Sequence, residues 1–217
     1  MDDRARHEAS LRTYLAARRP TDRYASFDYC HNYFFSFADA GRAAELAAPE
    51  YLEASCLQLG FYLASWGMMR GSTVLLTRSL RYLEPWVRWV AQEPASLWRT
   101  DVDRYDARSV DLVLSAAASL RRAVAPDPVT DTLATKILLG VFACVPAFDA
   151  NFRAGFGTAT FSRGSLARVA GFYRQNRDLV DAYRVPTLDV RTGLDTPRLY
   201  SRAKVIDMIF FTEGAGG

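Results

Sequence analysis

Residues 130–149 read TDTLATKILLGVFACVPAFD, and whether this run is helix or strand decides the fold. Thr130 or Asp131 offers a side-chain acceptor just ahead of an apolar stretch, the common opening of a helix. From Leu133 to Val145 only Thr135, Lys136 and Gly140 interrupt the apolar residues, without alternation and over a length greater than most strands. Pro146 breaks the run, and Phe148 and Phe152 begin another short helix. The pattern predicts a buried helix with one charge, Lys136, inside it.

Working outward, two more runs are as apolar. One begins near Leu52 behind Pro49, which suits a first helical turn. The other ends the chain, where DTPRLYSRAKVIDMIFFTEG predicts a helix with Asp195 or Thr196 as cap, Pro197 at its first position and Gly214 as stop. Around these three, amphipathic segments such as 101–126 and 165–184 carry apolar stripes at helical spacing. No alternating strand pattern of useful length, 20–50-residue repeat or Gly/Ser/Pro-rich linker is visible. The expected architecture is all-α: one domain over residues 1–217, with about eight helices wrapped around central apolar ones.

The chain has 217 residues, 50% hydrophobic and 24% charged, with a net charge of +3. These values describe an ordinary globular core and do not demand a polyanionic partner. The run from Cys56 to Met69 is shorter than the roughly 18 residues of a membrane span and contains Gln58, so no membrane is expected. The charged first twenty residues lack an apolar signal region, and Cys30, Cys56 and Cys144 are few and far apart. Reduced core thiols in a cytoplasmic protein are expected. Of the 27 basic residues only Lys136 and Lys204 are lysine, leaving 25 arginines. Such a skew arises from codon composition, or from a need for the bidentate contacts that arginine makes to phosphate.

Three places hold candidate chemistry. In LGFYLASWGMMRGS, residues 59–72, Gly60, Ala64, Gly67 and Gly71 fall on one face if the helix continues, a stripe open to another helix or to a ligand. Arg70 and Ser72 beside it are candidate ligand-binding residues for phosphate or carboxylate. Lys136 and Asp149 are candidate catalytic residues, as nucleophile and acid or base; a snorkelling lysine and a helix N-cap explain the same residues without chemistry. Lys204 and Asp207, three apart in an apolar helix, form a candidate polar ligand site, with Lys204 or a central arginine expected to pair the acid. His31 beside Cys30 points away from it on a helix, and no metal-ligand spacing occurs, so neither metal nor cofactor is expected. Walker, dinucleotide and Gly-x-Ser-x-Gly patterns are absent.

Residues 63–72 (LASWGMMRGS), 136–149 (KILLGVFACVPAFD) and 204–211 (KVIDMIFF) resemble segments shared by uncharacterised bacterial all-α proteins, a similarity that spans most of the chain and implies no activity. The segment TKILLGVFACVPAFD also resembles, locally, the lysine helix and following turn of helix-hairpin-helix DNA glycosylases. That resemblance implies an amine nucleophile at Lys136 and an assisting carboxylate at Asp149. The hairpin that precedes the lysine helix in that family is replaced here by VAPDPVTDT, residues 124–132. A nucleic-acid-associated protein is the first functional expectation. A module that binds another protein or a second copy of itself, and an enzyme with a small pocket around Arg70, Lys136, Asp149 and Asp207, are the alternatives.

Overall fold

The computed structural model describes residues 3–71 and 73–216. Among them the chain forms helices α1 (Asp3–Ala16), α2 (Ala25–Asp39), α3 (Pro49–Ser65), α4 (Glu84–Gln92), α5 (Ala95–Trp98), α6 (Ala107–Arg122), α7 (Asp131–Phe142), α8 (Ala150–Phe156), α9 (Arg163–Gln175) and α10 (Arg177–Ala182). Strands β1 (Pro186–Leu188) and β2 (Asp195–Leu199) follow, and α11 (Arg202–Ala215) closes the fold. Four short 3-10 turns punctuate the chain, three of them between α2 and α4. The fold is all-helical apart from this one hairpin.

Two helices are central. Every residue of α7 from Leu133 to Phe142 is buried, as is every residue of α11 from Ala203 to Phe211. Thr130 caps α7 by accepting from the backbone N–H of Leu133. The third helix expected at the centre, α3, buries only one side and leaves Leu57 and Phe61 exposed at 51% and 66%. No described helix is long and apolar enough to cross a membrane.

The glycine stripe of residues 60–71 does not exist as a helix face. α3 stops at Ser65, and the backbone N–H groups of Gly67 and Met68 donate to the carbonyls of Ala64 and Leu63. This is a Schellman closure, which needs a left-handed residue. Gly67 supplies it at φ +77°, and Gly71 turns the chain again at φ +64°. The close helix approaches lie elsewhere. A Cβ on Gly140 would stand 2.3 Å from the Tyr62 ring, joining α7 to α3. One on Gly155 would stand 2.2 Å from the Phe210 carbonyl oxygen, and one on Gly214 1.9 Å from that of Asn151, so α8 lies directly on α11.

The start of the last helix also differs from expectation. Asp195, Thr196 and Pro197 lie in β2, which pairs antiparallel with β1 in the register Pro186 to Leu199 and Leu188 to Asp195. A two-stranded ribbon leaves edges free, so Pro197 removes no essential donor. The true cap of α11 is Ser201, which accepts from Lys204 N–H at 3.0 Å. Ser26 and Asp28 lie inside α2, and Tyr24 occupies the cap position. Asp28 instead ties the hairpin to the core: it accepts from Leu188 N–H at 2.9 Å, Tyr200 OH at 2.5 Å and Arg18 Nε at 2.8 Å. Burial raises its carboxyl pKa above the usual value, against the opposing pull of Arg18.

Candidate functional site

Asp149 reaches its position because the segment after α7 is pinned along that helix. Thr135 Oγ1 accepts from Phe148 N–H at 2.8 Å, and Thr132 Oγ1 donates to the Phe148 carbonyl at 3.1 Å. Asp149 then caps α8 through Oδ1, which accepts from Phe152 N–H at 2.9 Å. Its other oxygen, Oδ2, accepts from Lys136 Nζ at 2.8 Å. Lys136 is only 4% exposed. A buried ammonium needs a partner, because desolvating it alone costs several kcal/mol, and Asp149 meets that need.

A second pair lies one layer deeper. Lys204 Nζ donates to Asp207 Oδ2 at 3.0 Å and to Tyr14 OH at 2.8 Å. Asp207 Oδ1 accepts from Ala147 N–H at 3.0 Å, two residues before Asp149. Burial holds the Tyr14 and Tyr62 hydroxyls well above the usual phenol range, so both remain protonated. Trp66 stands between the pairs, with each lysine Nζ 5.2 Å from its ring and Tyr24 stacked at 5.3 Å.

Above the outer pair opens a pocket of about 390 Å³. Arg23, Arg70 and Arg153 bring three guanidinium groups to it, with Thr73, Thr130, Thr132 and Asn151 among its polar lining and Trp66 and Phe211 as aromatic walls. Asp149 is the one acid among the lining residues described. No described carboxylate forms an ion pair with any of the three arginines: Arg23 lies over the Tyr24 and Trp66 rings, Arg153 donates to the carbonyls of Asp149 and Ala159, and Arg70 folds over Gly67. Behind the pocket, Lys136, Asp149, Lys204, Asp207, Tyr62 and Trp66 are among the residues that enclose a cavity of about 10 Å³.

Arg70, Lys136 and Asp149 therefore meet at one pocket, while Lys204 and Asp207 pair with each other in the layer beneath it. Ser72 lies outside the described residues. Among the described residues, no cluster of three or more His, Cys, Asp and Glu side chains has the arrangement of a metal site.

No protein-family model, curated protein or solved structure matches this chain.

The site has members that the sequence did not announce. Arg153 follows Asp149 by four residues, a spacing that places both on one side of α8 and carries a signal. Arg23 lies in the connection between α1 and α2, and nothing local points to it. Trp66 and Tyr14 are aromatic residues among many, and only tertiary packing distinguishes them.

Proposed function

We propose that this protein binds a phosphate-bearing ligand in the pocket above Lys136 and Asp149. The observation that carries the reading is the set of three guanidinium groups, from Arg23, Arg70 and Arg153, that face one pocket without a described carboxylate partner. Elsewhere among the described residues thirteen arginines are held in ion pairs with Asp or Glu. Nine further arginines form no ion pair among the described residues either, so the pocket is set apart by the convergence of three guanidinium groups on one lining and not by unpaired arginine alone. Guanidinium forks match phosphate oxygens bidentately. Lys136 and Asp149 would then face the bound ligand with an amine and a carboxylate, the groups needed to move a proton or attack an electrophilic carbon.

Titration calorimetry of the full chain with inorganic phosphate, a nucleoside monophosphate and a short single-stranded oligonucleotide tests this reading and separates the sources of the phosphate. Binding that weakens about tenfold or more in Arg70→Ala and Arg23→Ala is expected; a charge-assisted hydrogen bond of about 1.5–3 kcal/mol sets that scale. Oligonucleotide binding with a steep salt dependence, and little binding of the small phosphates, would return the reading to nucleic acid. Absence of binding in every arm overturns the proposal.

A second reading, association with another protein or a second copy, is supported by the exposure of Leu57, Phe61 and Leu76. Sedimentation of the full chain tests the self-association arm. The three cysteines are free and buried, which fits a reducing, cytoplasmic setting.

A further inference from the structure

At the C-terminal end of α7 lies a second pocket, of about 160 Å³, that shares no lining residue with the outer one above Lys136. Its walls are aromatic. Phe35 and Phe142 meet the Trp98 ring edge to face, with centroids 5.3 and 4.4 Å away, and His31 lies 4.3 Å from Phe35. Burial, aided by the field of Arg198, lowers the pKa of His31, so at neutral pH it adds a ring and no charge. Three guanidinium groups line the same space. Arg198 is answered by Asp39, which accepts from it at 2.7 Å. Arg184 is held through its Nε–H, which donates to the Tyr200 carbonyl at 2.8 Å. Its two terminal nitrogens have no partner among the described residues, and neither has any nitrogen of Arg99.

We infer that this second pocket binds a small aromatic carboxylate, its ring against the aromatic wall and its charge on Arg99 and Arg184. The acid already present does not compete. Asp101, the one acid among the lining residues described, has both oxygens taken: Oδ1 by the N–H groups of Val102 and Ala203 at 2.8 and 3.0 Å, Oδ2 by that of Arg202 at 2.9 Å. A separate observation points to a ligand. Trp98 is 8% exposed, and its indole Nε1–H is buried with no hydrogen-bond partner among the described residues. Leaving a buried donor without an acceptor is costly, and a ligand oxygen in the pocket that Trp98 lines supplies one. The ligand class follows from the balance of surfaces. Binding pockets combine apolar walls with a few convergent polar groups, and the planar guanidinium fork matches a planar carboxylate bidentately. The volume is below the roughly 300–1,000 Å³ of pockets for drug-sized ligands, which limits the occupant to about one ring. Phosphate, with oxygens on every side, suits the polar lining of the outer pocket, whereas here aromatic surface faces the ligand. The two pockets share no residue, so failure of phosphate binding in one and of carboxylate binding in the other are separate results.

The test is a titration of the 15N-labelled full chain with sodium benzoate, followed through the indole Nε1–H signals by nuclear magnetic resonance. Nuclear Overhauser contacts assign the two that matter, Trp98 beside Phe142 and Trp66 beside Tyr24 in the outer pocket. The Trp98 signal is expected to shift saturably with a Kd of about 1 mM or below, within reach of a ligand of about nine non-hydrogen atoms, while the Trp66 signal stays in place. Arg184→Ala is expected to weaken binding about tenfold, the scale of one charge-assisted hydrogen bond. Arg99→Ala, at an exposed side chain, is expected to weaken it about two- to fivefold. Benzamide, which has the same shape without the charge, is expected to bind at least about tenfold more weakly than benzoate. A Trp98 signal unmoved at about 10 mM benzoate, ten times the expected constant, overturns the inference. Equal affinity for benzoate and benzamide overturns it as well, and both results are read on the wild-type chain.

Discussion

At the scale of single residues, the same amino acid has opposite roles according to what faces its missing side chain. Gly155 and Gly214 stand where α8 and α11 touch through their backbones, so alanine at either position forces the helices apart. Overpacking of this kind costs about 1–3 kcal/mol, and a fall of that size in urea-unfolding stability is expected for Gly155→Ala and for Gly214→Ala. Gly171 sits in α9 with only the flexible Arg174 guanidinium near, at 3.8 Å. Gly171→Ala is therefore expected to raise stability by about 0.4–1 kcal/mol in the same assay. Neither distinction is visible in the sequence, where the stripe at 60, 64, 67 and 71 looked more suggestive than 155 and 214. Gly67 and Gly71 serve left-handed turns, which spacing alone does not distinguish from helix faces.

At the scale of elements, most helices followed from apolar periodicity and local caps, and the two departures have definite causes. The segment Asp195-Thr196-Pro197 carries every local sign of a helix start, but tertiary contacts hold it extended: Thr187 Oγ1 and Thr196 Oγ1 lie 2.6 Å apart across the hairpin, and Asp28 fixes Leu188 from the core. The helix waits for Ser201. Ser201→Ala is expected to cost about 1 kcal/mol, the usual value of a lost N-cap, whereas Asp195→Ala, at an exposed strand position, should stay within about 0.5 kcal/mol. Chemical denaturation of the two variants checks both figures. If Asp195 were the cap, the order would reverse. The other departure, the early end of α3, places Trp66 and Arg70 in a turn at the pocket.

At the scale of the whole molecule, the buried polar groups set the response to acid. His31 is enclosed among Phe27, Phe35 and Trp98, with Nδ1 3.3 Å from the Val141 carbonyl. Burial, aided by the positive charge of Arg198, lowers its pKa from 6.5 to about 3. Protons then bind the unfolded chain in preference to the folded one between these values. The contribution of His31 to stability is complete above pH 6.5 and is lost progressively as pH falls toward 3. One group of this kind gives a slope of up to about 1.4 kcal/mol per pH unit. Thermal unfolding from pH 7 to pH 4 is expected to show the decline, and His31→Phe to flatten it. An equal slope in the variant would assign the acid sensitivity to other groups.

The sequence by itself determined the helical class, the burial of the segments around Lys136 and Lys204, and the cap at Asp149, because each follows from side-chain polarity and backbone donors within a few neighbouring residues. It also singled out Arg70, Lys136, Asp149, Lys204 and Asp207 as candidate site residues. Only the tertiary structure decided that they form two pairs in two layers, that Arg23 and Arg153 join Arg70 at the outer one, and that Trp66 stands between the lysines. The physical reason is range. Caps and periodicity act over about one helical turn, whereas the partner of a buried charge is chosen by whatever side chain the folded core brings within about 3 Å.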